Sequence, residues 1–162
     1  ERKARLDFIN TSRIILGGDS TSALDKVEEL YRIRFPHTRI IKTDFQTAQL
    51  IKYMNNCFFA TKVSFMNEMK QIADKVNIDW DLAVEGFVRD GRVGHSHLAV
   101  PGPDGRFGFG GSCFPKDVQA MIDFGNQLGL NMNTLKGVWE TNLEVRPERD
   151  WEKLEGRAII NK

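Results

Sequence analysis

Residues 44–76 of this chain read DFQTAQLIKYMNNCFFATKVSFMNEMKQIADKV and contain neither glycine nor proline. Apolar side chains recur along them at helical spacings: Leu50, Met54, Cys57, Phe58, Phe65, Met69, Ile72 and Val76. The pattern predicts one long amphipathic helix of about 50 Å, at ~1.5 Å per residue. Further apolar positions lie outside that stripe, at Phe45, Ile51, Phe59, Val63 and Met66. We therefore expect burial on several sides, partly by a second copy of the chain.

Composition and charge narrow the class of protein. The 162 residues suit about one ordinary domain, and 41% hydrophobic with 28% charged residues indicate a globular chain. A net charge of +1 gives no reason to expect nucleic acid or an anionic membrane as partner. The opening residues ERKAR precede no apolar signal core, so we expect a cytoplasmic protein. Two cysteines without CxxC spacing argue against a disulfide framework or a zinc cage.

The segment before the long helix has the pattern of a strand–helix–strand unit. A strand is predicted at 13–16, followed by two glycines and Ser20 as the helix N-cap. The helix should bury Leu24, Val27, Leu30 and Tyr31 and end at Pro36, before a second strand at 38–41. One such unit cannot cover both faces of a sheet. Residues 1–42 are therefore interpreted as an αβ remnant of a larger α/β domain.

After the long helix, turns and shorter helices alternate. A helix is predicted at 80–88 with Asp79 as its cap, and ten of the 14 glycines fall between 86 and 129. Two more helices should follow, from Val118 to Leu128 and over 135–143. The C-terminal residues 154–162 have the pattern of a linker leading into a strand. The chain is expected to be mainly α.

One segment, GFGGSCFPKD at 108–117, contains several residue types used in catalysis. Glycines allow the backbone to approach a ligand, and Pro115 favours the first turn of a helix, which places Cys113 at that helix's N-terminus. The helix dipole and Lys116 there favour a thiolate nucleophile, while Asp117 is spaced to act as a general base. The alternative for Cys113 is a buried structural thiol beside a turn. Cys57, among apolar neighbours, is expected to be a packed core thiol.

This motif resembles the active-site motif of the nucleotide-sugar dehydrogenases, the UDP-glucose/GDP-mannose dehydrogenase family. Residues 50–62 (LIKYMNNCFFATK) and 91–94 (GRVG) are similar to that family as well. The resemblance implies that residues 1–42 end an NAD-binding α/β domain. It also implies that 43–145 form a central helical catalytic and dimerisation domain, like the C-terminal domain of 6-phosphogluconate dehydrogenase. Residues 146–162 would be a linker and the first strand of a nucleotide-binding domain.

The activity that the resemblance implies is oxidation of a sugar C6 alcohol to a carboxylate with two NAD. UDP-glucose is the favoured substrate and GDP-mannose the runner-up; a homodimer and precursor supply for a polysaccharide are also implied. Cys113 would form a thiohemiacetal and then a thioester. The other residues that match the family's site are Lys52 and Asn56 as oxyanion donors, Asp117 for water and proton transfer, and Arg92, Phe109, Gly110 and Gly111 for the nucleotide-sugar.

Other interpretations of these residues remain open at this stage. Outside the motif, Lys52 and Asn56 would be solvated helix residues and Arg92 a surface charge. His95 and His97 are expected to be exposed loop residues, because further metal ligands are not evident; no metal is predicted. Two alternatives to the enzyme are a non-catalytic helical dimerisation module and a redox sensor using Cys113.

Two departures from the family pattern limit what the resemblance implies. The loop at 95–107 is longer than in most relatives, so its contacts with the sugar are not carried over. The chain also contains no GxGxxG after a strand, the fingerprint for the NAD pyrophosphate. We therefore expect most of the NAD-binding domain to lie outside this sequence and the chain alone to be inactive.

Overall fold

The computed structural model describes residues 4–154 and divides into two compact units, with the division after Lys52. The first unit contains helix α1 (Ala4–Ile9), strand β1 (Arg13–Gly17), helix α2 (Thr21–Arg34) and strand β2 (Arg39–Thr43). The two strands are parallel, with Arg13 opposite Arg39. The predicted strand–helix–strand unit is therefore confirmed, while the short helix α1 was not predicted.

Local signals account for the ends of α2. The Ser20 hydroxyl accepts a hydrogen bond from the Ala23 backbone N–H, as an N-cap does, and the helix ends before Pro36. The expected burial of its apolar face is wrong in part, because Val27 and Leu30 are 39% and 66% exposed. Two strands provide too small a surface to cover a helix of 14 residues.

Helix α3 (Phe45–Lys75) is the predicted long helix, at 31 residues. Asp44 caps it by accepting the Thr47 backbone N–H at 2.8 Å. Helix α3 crosses the division between the units, so most of it belongs to the second unit. The second unit also contains α4 (Trp80–Val88), α5 (Cys113–Gln127), α6 (Asn133–Val145) and a 3-10 turn (Asp150–Lys153). The helix at 80–88 and its Asp79 cap are confirmed.

The core of the second unit consists of two clusters. The larger one brings together residues of α3, α5, α6 and the glycine-rich loop: Cys57, Ala60, Phe109, Val118 and Val138. The smaller one packs Met66 of α3 against Leu98 and Val100, with α4 beside them. Burial of Cys57 confirms it as a core thiol. The larger cluster holds α3 next to the start of α5, where the candidate nucleophile lies.

The prediction of a mainly α chain with a small αβ unit is confirmed across the described residues. The predicted strand after residue 154 lies outside them. Among residues 4–154, no helix combines the length and apolar character needed to cross a membrane. The domain boundaries at 42 and 145 stay predictions.

Candidate active site

Cys113 is the first residue of α5, as the motif predicts, and its side chain is exposed. The preceding residue, Ser112, places its hydroxyl oxygen 3.9 Å from the Cys113 sulfur. Pro115 is buried in the first turn, where the missing N–H of proline costs no hydrogen bond. An exposed thiol at the positive end of a helix dipole is a suitable place for a nucleophile.

Asp117 lies one turn further along α5 and is fully buried. One carboxylate oxygen accepts a 2.5 Å hydrogen bond from the Asn56 amide of α3, and the other accepts from the Lys116 ammonium, also at 2.5 Å. Its backbone carbonyl oxygen lies 3.8 Å from the Cys57 sulfur. The structure therefore brings two predicted site residues, Asn56 and Asp117, into direct contact below the helix end that carries Cys113.

Lys116, which the sequence analysis expects to favour the Cys113 thiolate, contacts this carboxylate. Its hydrogen bond to Asp117 raises the Lys116 pKa against the cost of burial, and the negative charge of Asp117 adds to the effect. The ammonium charge is thus tied to the α5 N-terminus, where it balances the buried carboxylate. Its half-exposed side chain leaves it reachable from solvent.

The glycine-rich loop before Cys113 is held by two buried asparagines from neighbouring helices. Asn67 of α3 accepts the Gly108 N–H at 3.1 Å. Asn142 of α6 accepts the Phe109 N–H at 2.7 Å and donates to the Phe109 carbonyl at 3.0 Å. Gly108 has φ +65°, and a side chain there would collide with Asn142. These contacts fix the backbone of residues 108–109 without any regular secondary structure.

A buried arginine holds the next part of the loop. Arg146 is 2% exposed and donates to Asp104 at 2.7 Å, to Asp150 at 2.6 Å and to the Phe107 carbonyl at 3.2 Å. The other oxygen of Asp150 accepts the Gly111 N–H at 3.1 Å. Burial opposes ionisation of Asp150, but the hydrogen bonds from Arg146 and Gly111 outweigh it and lower its pKa. We call these three side chains, Asp104, Arg146 and Asp150, the arginine clasp.

Aromatic rings surround the same region. Phe109 is buried, with its ring 6.1 Å from that of Phe114 and 6.3 Å from that of Trp139. Its side chain belongs to the larger core cluster, and the assignment of Phe109 to the nucleotide-sugar, which the resemblance implies, stays a prediction. His97 is exposed, as predicted. Its ring stacks on that of Phe59, with 4.2 Å between the ring centroids, and the partial loss of solvent around the imidazole lowers the His97 pKa. Within residues 4–154, no cluster of histidine, cysteine and acidic residues is arranged to hold a metal.

Arg92 lies in the loop after α4, and its side chain is 86% exposed. Its guanidinium forms two bonds to Asp90, at 2.5 and 2.6 Å. It lines a groove of about 390 Å³ together with four phenylalanines: Phe58, Phe59, Phe65 and Phe87. Lys52, the remaining predicted site residue, lies on α3 one turn before Asn56 and belongs to the first unit.

Several residues of this region escaped the sequence analysis. Asn67, Asn142, Arg146, Asp104 and Asp150 are 33 to 42 residues from their loop partners. Asn67, Asn142 and Arg146 are buried, and their local sequence gives little indication of this. The available signal is positional: Asn142 is a polar residue within the amphipathic helix α6, and Arg146 directly follows that helix. Their partners become evident only once the helices are packed.

With this geometry in view, comparison with known proteins gives the family. Residues 46–144 match the central domain of the UDP-glucose/GDP-mannose dehydrogenase family. The matched residues cover more than half of the chain, and the chain belongs to this family. The resemblance seen in the sequence is therefore confirmed.

Individual relatives agree with the family assignment. The chain is 36% identical to UDP-glucose 6-dehydrogenase TuaD of Bacillus subtilis, over 90% of this chain and 30% of that protein. It is 34% identical to a UDP-glucose 6-dehydrogenase of Rickettsia bellii, over 95% of this chain and 34% of that protein. The solved structure of a UDP-glucose dehydrogenase from the archaeon Pyrobaculum islandicum superposes with a TM-score of 0.78 at 34% sequence identity. The match covers 94% of this chain and 33% of that one. The chain thus spans about a third of the length of these relatives.

Proposed function

We propose that this chain forms the catalytic and dimerisation core of a UDP-glucose 6-dehydrogenase, which converts the C6 alcohol of UDP-glucose into the carboxylate of UDP-glucuronate. The observation that carries the proposal is the exposed Cys113 thiol at the N-terminus of α5, one turn from the buried Asp117. The family match and the names of the relatives support the substrate class. A GDP-mannose or other UDP-sugar dehydrogenase is the alternative.

The thiol would act on the aldehyde that the first oxidation produces. The Cys113 sulfur attacks C6 and forms a C–S bond, and the carbonyl oxygen takes up a proton, which gives a thiohemiacetal. Loss of a hydride and a proton then leaves a thioester. Water adds to the thioester, the C–S bond breaks, and the carboxylate and free thiol are regenerated. The chain thus supplies the covalent attachment of the substrate. Hydrolysis of the thioester then makes the second oxidation irreversible.

Three polar side chains would assist these steps. We assign Lys52 and Asn56, one helical turn apart on α3, as donors to the oxygen that becomes negative as sulfur or water adds. Asp117 would take up the proton released when water attacks, with Lys116 balancing its charge. The Asn56 amide donates to Asp117 in the structure, so this contact would rearrange or be shared when substrate binds.

When bound, NAD would supply the hydride acceptor for both oxidations. The described residues contain no GxGxxG loop between a strand and a helix, and the loop between β1 and α2 consists of Gly18, Asp19 and Ser20. Residues 4–154 therefore do not fit the pyrophosphate of NAD, and we assign its binding to none of them. Cytoplasmic location and a role in polysaccharide supply stay predictions.

The test is to assay the complete gene product by the absorbance of reduced nicotinamide. UDP-glucose, GDP-mannose and UDP-N-acetylmannosamine are supplied in parallel with NAD. We expect two NADH per UDP-glucose consumed and much weaker turnover of the other two. Turnover of GDP-mannose alone would support the alternative substrate. A folded protein that oxidises none of them would overturn the proposal in favour of a non-catalytic dimerisation module.

We also propose that the protein is a homodimer through α3. Along this helix, Met54, Phe58, Phe65 and Ile72 are between 46% and 62% exposed, as is Val76 directly after its end. They recur at intervals of four or seven residues, which places them on one face and leaves an apolar stripe uncovered. A second copy of the chain presents the same stripe and is a matching partner. Arg92 lies at the edge of this surface, which supports its assignment to the neighbouring subunit's nucleotide-sugar.

Phe58→Glu should convert the dimer into a monomer, since two carboxylates would face an apolar interface. Sedimentation equilibrium of the complete gene product measures the effect, with at least a 100-fold rise in the dimer dissociation constant expected, about 2.7 kcal/mol at 1.36 kcal/mol per tenfold. Phe124→Glu is the matched control, because Phe124 is 53% exposed on α5 and lies outside the stripe. If Phe58→Glu stays dimeric, the proposed interface is wrong.

A further inference from the structure

The arginine clasp touches the backbone immediately before the nucleophile. Asp150 bridges two groups with its two oxygens: Oδ1 accepts from Arg146 at 2.6 Å, and Oδ2 accepts the Gly111 N–H at 3.1 Å. Gly111 is separated from Cys113 only by Ser112. Through the Gly111 peptide, a side chain of the C-terminal segment thus holds the turn that leads into α5.

The clasp is built to be rigid. Arg146 is 2% exposed, and its guanidinium is held by Asp104 as well as Asp150, so its fork cannot rotate freely. The backbone at Gly110 lies against this ion pair, because a Cβ there would overlap both the Arg146 guanidinium and the Asp150 carboxylate. Asp150 therefore has a fixed direction when it accepts the Gly111 N–H.

We propose that Asp150 is a positioning residue for Cys113: held by Arg146, it fixes the Gly111 peptide and so the direction in which the first turn of α5 presents the thiol. The clasp does not touch the reacting atoms. It transmits the rigidity of a buried ion pair to the nucleophile through two residues of backbone. This inference rests on the proposed nucleophilic role of Cys113.

Asp150→Asn separates this role from simple stability. An amide offers one acceptor oxygen, so either Arg146 or Gly111 must then face the NH₂ group. Asp104→Asn is the matched control, because it weakens the other end of the clasp and leaves the Gly111 bond in place. Glu148→Gln is the surface control, since Glu148 is exposed and pairs with Arg106 at 3.6 Å.

The experiment measures the rate at which iodoacetamide alkylates Cys113 in the complete gene product, by mass spectrometry of the peptide that contains it, well below the melting temperature. We expect Asp150→Asn to slow alkylation at least fivefold, because a loosened first turn holds the sulfur less firmly at the positive end of the α5 dipole. Asp104→Asn should lower the melting temperature by about as much as Asp150→Asn does. It should change the alkylation rate of Cys113 less than twofold. Glu148→Gln should change neither.

Equal slowing in Asp150→Asn and Asp104→Asn, or no slowing in Asp150→Asn, would overturn the inference. If Asp150→Asn does not fold, Asp150→Glu, which displaces the carboxylate by one methylene, carries the same expectation. Where the protein turns over UDP-glucose, Asp150→Asn should lower kcat about tenfold and leave KM within about threefold. The alkylation rate needs no turnover, so failure of the proposed dehydrogenase activity would not be mistaken for failure of this inference.

Discussion

Cys113→Ala should reduce UDP-glucose oxidation by the complete gene product by at least about 10³-fold, since removing a covalent nucleophile costs on this order or more. The side chain is exposed, so its loss leaves no cavity, and the melting temperature should change by less than about 2 °C. The assay follows NADH formation under saturating NAD and UDP-glucose. The physical reason is that without the sulfur there is no thiohemiacetal to oxidise.

Cys57→Ala provides the matched control for this prediction. That thiol is buried in the core of the second unit, so its removal should lower stability modestly and leave kcat within about threefold. If Cys113→Ala kept the rate of the unsubstituted protein, the thioester mechanism would be wrong. Equal loss of activity in Cys113→Ala and Cys57→Ala would indicate that Cys113 contributes to folding and not to the reaction.

Asn142→Leu should lower the free energy of unfolding by about 3–5 kcal/mol, the largest stability effect that we expect from a single side chain here. Asn142 is fully buried, and its amide satisfies both the N–H and the carbonyl of Phe109. Leucine has a similar volume, so the cost comes from two buried backbone groups that lose their partners rather than from a cavity. Urea unfolding followed by circular dichroism measures it.

Two further variants make this prediction specific. Asn126→Leu applies the same chemical change to an exposed position of α5 and should alter stability by less than about 0.5 kcal/mol. Asn142→Asp keeps an acceptor for the Phe109 N–H but removes the donor to its carbonyl, and should fall between the two. If Asn142→Leu lowers the free energy of unfolding by less than about 1 kcal/mol, the loop at 107–111 does not depend on the two hydrogen bonds between Asn142 and Phe109.

The helices and their ends were predictable because their causes are local. A run without glycine or proline gave α3 within one residue at each end of 44–76. Ser20 and Asp79 cap their helices through hydrogen bonds to residues three positions away. Pro115 after a glycine pair placed Cys113 at the start of α5. Each of these depends on a few neighbouring residues, which any reader of the sequence can see.

Tertiary structure alone decided which polar groups meet. Asn56 and Asp117 are 61 residues apart, Arg146 and Asp104 are 42 apart, and Asn142 and Phe109 are 33 apart. A buried polar side chain requires a partner, but its local sequence does not say which one. Which face of α2 stays exposed was also undecided, since this depends on how much sheet covers it. The sequence by itself determined the helices after α1 and the identity of the nucleophile candidate, whereas packing determined what holds that nucleophile, because pairing between distant residues exists only after the chain has folded.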